Sequence, residues 1–185
     1  MNPELTNSVG TIIAVAIGAV ILAVVILQIA RRRLEQHWQA AQHQRSLLND
    51  RLKNQGILVQ EFIATADHRL VKERESFEIL GRRQVGVAAG RTPPEKAAAL
   101  IELNSHLERL ISIADADPGM AGLSEYEALR ENIEQAVDDV GHAVSAYNEA
   151  VDAYNAMATG FFGRLFGMSQ AEKFDASKQK RAVRR

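Results

Sequence analysis

Two short motifs carry residue types that bind metals. Asp139-x-x-His142 sets a carboxylate and an imidazole three residues apart, and Glu102 and His106 lie about one helical turn apart. Helical bundles hold two-metal centres with glutamates and Glu-x-x-His motifs that project into the core. These four residues therefore sketch a carboxylate-bridged iron or manganese site, and with it a metal-dependent oxidoreductase. No second Glu-x-x-His accompanies them, and Asp139 and His142 border the apolar seam of their helix instead of filling it. Polar residues facing solvent are the stronger expectation. His37 and His43, six apart, share no helical face. The chain has no cysteine, no phosphate-cradling glycine loop and no serine in an elbow context. The reading is a protein that is not an enzyme and holds no cofactor or metal, with the oxidoreductase as the alternative.

The elements that would position such residues begin with an apolar run. Residues 9–30 read VGTIIAVAIGAVILAVVILQIA without a charge, and Arg31, Arg32 and Arg33 follow. About twenty helical residues cross a hydrocarbon layer of about 30 Å, so this run is expected to be a transmembrane helix. No Lys or Arg precedes it, and by the positive-inside rule the N-terminus, residues 1–8, lies outside and the bulk is cytoplasmic. Gly10, Ala14 and Gly18 recur every fourth residue, a face on which two membrane helices can approach and self-associate.

Beyond the arginines, few aromatics and abundant Ala, Leu, Glu, Gln and Arg favour helix, and no period-two stretch marks a strand. Leu34, Trp38, Ala41, Leu48 and Leu52 form one stripe, and Gly56 reads as the turn into a second helix. That helix carries Val59, Phe62, Ile63, Ala66, Leu70, Phe77 and Leu80. Thr92-Pro93-Pro94-Glu95 is a capping box with prolines in the first turn, and it opens a third helix with Leu100, Leu103, Leu107 and Leu110 on one face. Ser124 with Glu127 reads as a second capping box. It opens what is expected to be the longest helix, whose stripe runs from Tyr126 to Tyr154. Short connections force antiparallel neighbours. The expected fold is all-α: one N-terminal transmembrane helix, then an antiparallel up-and-down four-helix bundle over residues 31–159, then an amphipathic segment and basic tail over 160–185.

The last helix also carries a repeated dipeptide. Tyr147-Asn148-x-x-Val151-x-x-Tyr154-Asn155, followed by Leu165-Phe166-Gly167-Met168 and Phe174, resembles the C-terminal signature of LemA family proteins. Leu107-x-x-Leu110, Ala114-Asp115, Pro118 and Tyr126-x-x-Leu129 fit the same register. Asp117 stands where the family has a tyrosine before proline, and Val137 and Val144 where its last helix usually carries Glu and Arg, so the resemblance is to a diverged member. It implies a four-helix bundle on the cytoplasmic side of a bacterial membrane, without an established catalytic activity. One branch of the family is associated with magnetosome membranes, which brings organisation of a specialised membrane among the implied roles. The function expected is a membrane-anchored scaffold or protein-interaction module of a bacterial inner or organelle-like membrane. From the residues alone, Tyr147 and Tyr154 lie seven apart on the buried seam, with Asn148 and Asn155 flanking it and able to bond a neighbouring helix.

Charge is segregated although the net is −1. Residues 95–155 hold thirteen acids against three bases, and residues from 160 on hold seven bases against two acids. An acidic bundle with a basic tail folds the tail back on itself or sends it to another partner. Phe161, Phe162, Leu165, Phe166 and Met168 surround Arg164, and Lys178, Lys180, Arg181, Arg184 and Arg185 follow. Apolar insertion beside basic contacts is how interfacial segments bind anionic lipid, whereas aromatics capping the open end of the bundle is the competing arrangement. Membrane lipids, a protein partner and a homo-oligomer are the expected partners. No aromatic-interleaved basic motif points to nucleic acid.

Overall fold

The computed structural model describes residues 3–120 and 122–175, with side chains from residue 16 on. Four long helices account for most of it: α1, Pro3–Ala66; α2, Arg74–Ala89; α3, Pro93–Ala116; and α4, Ser124–Ala158. A 3-10 turn, Val71–Glu73, precedes α2, and a short α5, Phe161–Leu165, follows α4. There is no strand among the described residues. α1 packs mainly on α4 and α2 mainly on α3, and α5 rests on both α1 and α4. The C-terminal half of α1 joins α2, α3 and α4 around one apolar core, in which Phe62 meets Phe77 edge-on and Tyr126 at a tilt.

Among the described residues no helix is long and apolar enough to cross a membrane. This overturns the expected transmembrane helix over 9–30, and with it the single-pass topology with an outside N-terminus and cytoplasmic bulk. The apolar run is instead the first part of a 64-residue helix that passes the arginines unbroken into the bundle. Gly10 and Ala14 lie outside the described side chains, and Gly18 is exposed with open space where a Cβ would sit.

Two further expectations fail for local reasons. Gly56 does not turn the chain, for α1 continues through it to Ala66. A Cβ there would lie 2.9 Å from Gln84 Nε2, which donates to the Gly56 carbonyl at 3.0 Å, so this glycine serves a close approach of α2. The turn comes at 67–70, where the amides of Arg69 and Leu70 both close on the Ala66 carbonyl. The apolar stripe assigned to a second helix is thereby split: Val59, Phe62 and Ala66 belong to α1, Phe77 and Leu80 to α2. Ser124 is not a cap either, because Leu123 occupies the N-cap position and no side chain bonds there. α4, with 35 residues, is second in length to α1.

The Thr92 box forms as its sequence requires. The Thr92 hydroxyl accepts from the Glu95 amide, and the Glu95 carboxylate accepts from the amides of Thr92 and Arg91. Those amide bonds hold the carboxyl of Glu95 below the usual glutamate range. Loss of a working N-cap costs about 1 kcal/mol. Thr92→Ala is therefore expected to lower stability by about that amount in urea melts, while Ser124→Ala changes it by less than about 0.5 kcal/mol.

Candidate functional site

The repeated Tyr-Asn pair is the most specific arrangement in the structure. Both tyrosines are buried on the α1-facing side of α4, with Val151 wholly enclosed between them. Their hydroxyls do not reach a helix. Tyr154 donates to the Ser169 carbonyl (3.0 Å) and Tyr147 to the Glu172 carbonyl (2.7 Å). Each asparagine then acts as a peptide mimic. Asn155 gives its Nδ2 to the Ala171 carbonyl (2.9 Å) and takes the Ala171 amide on its Oδ1 (2.8 Å). Asn148 does the same with Phe174, at 3.3 and 2.8 Å. The expectation that these asparagines bond a neighbouring helix is corrected: they hold the segment 169–174, which runs antiparallel along α4 as a strap.

The spacing explains why the motif repeats. Seven residues of helix advance about 10.5 Å, and three residues of extended chain advance about 10 Å. Pairs at 147–148 and 154–155 therefore meet backbone groups three residues apart in identical register. Phe174 seals the end of the strap and is only 7% exposed. Lys173 pairs with Asp152 on the outer side of α4. On the inner side Trp38 of α1 packs at a tilt against Tyr154, with ring centroids 5.0 Å apart, which gives it the packing role that its distance from the arginines suggested. The strap was missed in the sequence because it has no periodicity of its own, although Phe174 stands within the family-like pattern.

Between α4 and the strap, α5 closes the end of the bundle. A Cβ at Gly163 would collide with the Ala158 backbone, so only glycine lets α5 turn back so closely. Phe162 and Phe166 are half-buried, and Phe166 packs on the cluster of Leu34, Tyr154 and Ala158. Phe161 is 75% exposed, and Leu165, Met168 and Arg164 also face outward. The aromatic cluster thus divides between a cap and an exposed face. Lys178, Lys180, Arg181, Arg184 and Arg185 lie outside the described residues.

The residues considered for a metal are not brought together. Asp139 pairs with Arg51 (2.8 Å) and Glu102 with Arg83. His106 bonds the Ser76 carbonyl at 3.0 Å through Nε2, and His142 is exposed on α4. Among the described residues no group of three or more His, Cys, Asp or Glu is placed to hold a metal ion.

At the far end of the bundle Tyr126 donates to Asp115 Oδ1 (2.7 Å), and Arg130 bridges Asp115 (3.2 Å) and Glu134 (3.0 Å). Burial raises the Tyr126 phenol well above its ordinary value, and the Asp115 carboxylate adds to the shift. Burial likewise raises Tyr147, partly offset by Arg45. One polar pair lies in the core itself: Gln55, 1% exposed, donates to Asn104 of α3 at 2.8 Å. Asn104 also borders a groove between α3 and α4, of which two connected depressions measure about 650 and 470 Å³.

Two measurements test these assignments. Asn155→Ala removes two strap bonds and is expected to cost about 1–3 kcal/mol and to open residues 166–175 to limited proteolysis. Unchanged cleavage would rule out the strap. Between about pH 10 and the higher folded values, the unfolded chain releases its phenolic protons while the folded chain keeps them, so stability falls as pH rises. Urea midpoints at about pH 9 and about pH 11 should differ less in Tyr126→Phe than in the parent, because that variant lacks one of the shifted phenols.

A family model described as the LemA family matches residues 44–184, most of the chain. No curated protein matches it.

Proposed function

From the premise that the chain belongs to the LemA family, we propose that it is a non-catalytic interaction scaffold, a strapped helical bundle that presents an apolar helical arm for assembly with other copies of itself. The observation that supports this reading is the N-terminal part of α1. Ile17, Val20, Ile21, Leu22, Val24, Val25, Ile26 and Ile29 are between 46% and 63% exposed, on all sides of the helix. Folded proteins rarely leave so large a contiguous apolar surface without a partner. The bundle gives that arm a rigid base, since α1 continues unbroken from it to the core at Leu34, Ala41 and Leu48. Arg51 and Arg83 meanwhile hold two carboxylates that the metal-dependent alternative would require.

Ile21→Asp, Val25→Asp and Ile29→Asp combined should shift the full chain to a smaller species in sedimentation velocity. The thermal melt of the bundle should stay within a few degrees of the parent, because these positions touch none of its core. An unchanged sedimentation coefficient would overturn the assembly role of the arm.

A further inference from the structure

α3 and α4 make few direct contacts, and a groove lies between them. Its floor is apolar, with Leu100, Leu107, Ile133 and Val140 in the core beneath it. Its lining includes the carboxylates of Glu108, Asp115, Glu134, Asp138 and Asp175 together with His142, and no lysine or arginine. Arg130 holds Asp115 and Glu134 at one end. Asp138, in the middle, and Glu108 have no ion pair among the described residues. The two depressions share Asn104, Val137 and Asp138, so they form one continuous trough along the helices.

The strap delivers the chain to one end of this trough. Phe174 is locked by Asn148, and Phe174 and Asp175 both line the groove. Residues 176–185, ASKQKRAVRR, follow directly and carry five bases and no acid. We propose that the α3–α4 groove is the docking site of this basic segment, which lies along the acidic rim of its own bundle. Reach is sufficient: from Ser145 to Glu134 the groove runs about 16 Å along α4, and ten residues span about 15 Å as helix or about 33 Å extended. Tethering also matters. A short linker places the segment at an effective concentration of order millimolar, so individually weak exposed ion pairs are enough to hold it. The strap is thus the device that aims the basic segment, and Asn148 sets the point from which it departs.

The absence of cysteine makes the test direct in the full chain. Ala182→Cys is combined with Ser112→Cys in the distal groove or, as a control, with Glu78→Cys on the exposed side of α2. The rate of intramolecular disulfide formation at low salt should be about tenfold higher for the Ser112 pair than for the control. It should fall toward the control at about 1 M salt, where the Debye length is about 3 Å. Glu108→Lys with Asp138→Lys should abolish the difference, and Glu108→Gln with Asp138→Asn should reduce it, with helicity and melt unchanged in the milder pair. Equal rates for groove and control would overturn the proposal and leave the groove to a foreign partner. A disulfide that forms only between chains would overturn it in favour of a second copy's basic segment.

Discussion

The match between helix rise and extended chain governs the C-terminal third of this protein. Two phenols and two amides, set one heptad apart, satisfy six polar groups of a segment that has no secondary structure of its own. Every one of those bonds reads backbone, so strap residues are free to vary in side chain while the register stays fixed. A shift of one residue along the strap would misplace all of them together. Neutral hydrogen bonds contribute about 1 kcal/mol each, and their weight here lies as much in the cost of leaving buried phenols and amides unpaired.

That register has consequences at both ends of the strap. Toward the N-terminal side it fixes where α5 must turn, and Gly163 supplies the only side chain small enough for the turn. Phe166 then packs on Leu34 and Tyr154, at the point where α1 leaves the bundle as the exposed arm. Toward the C-terminal side the register places Phe174 and Asp175 in the mouth of the α3–α4 groove. One set of hydrogen bonds therefore positions the aromatic cap, the base of the arm and the departure point of the basic segment.

Much of the helical framework was legible in the sequence because burial on helices is periodic. Leu34, Ala41 and Leu48 on α1, Leu100 to Leu110 on α3 and Tyr126 to Tyr154 on α4 lie in the core at the three-four spacing that singled them out. The capping box at Thr92 was legible because its chemistry is local. Gly56 and Ser124 misled for the opposite reason. A glycine that permits close approach and a glycine that breaks a helix are the same letter, and the choice was made by Gln84, 28 residues away. Ser124 had the composition of a cap but lay one residue too late, with Leu123 taking the position. The Tyr-Asn pairs were visible as types and spacing, but their partner was not, since carbonyls and amides leave no trace in the side-chain pattern.

The arm shows where local composition stops deciding. An apolar run ahead of three arginines has the make-up of a membrane span, yet among the described residues no helix is long and apolar enough to cross a membrane, and the run continues without a break into an amphipathic helix. What distinguishes the two halves of α1 is their neighbours. From Leu34 onward α4 covers one face, so the sequence there needs a stripe and a polar back. From Ala16 to Ile29 no described residue buries a side chain, Leu27 alone being partly covered, and apart from Gln28 the residues there are apolar. An all-round apolar helix with no internal neighbour is complete only with contacts on several sides. Under the proposed assembly, a single partner helix would bury one stripe and leave the opposite side in water, so the composition of the arm fits several helices better than a two-stranded pair.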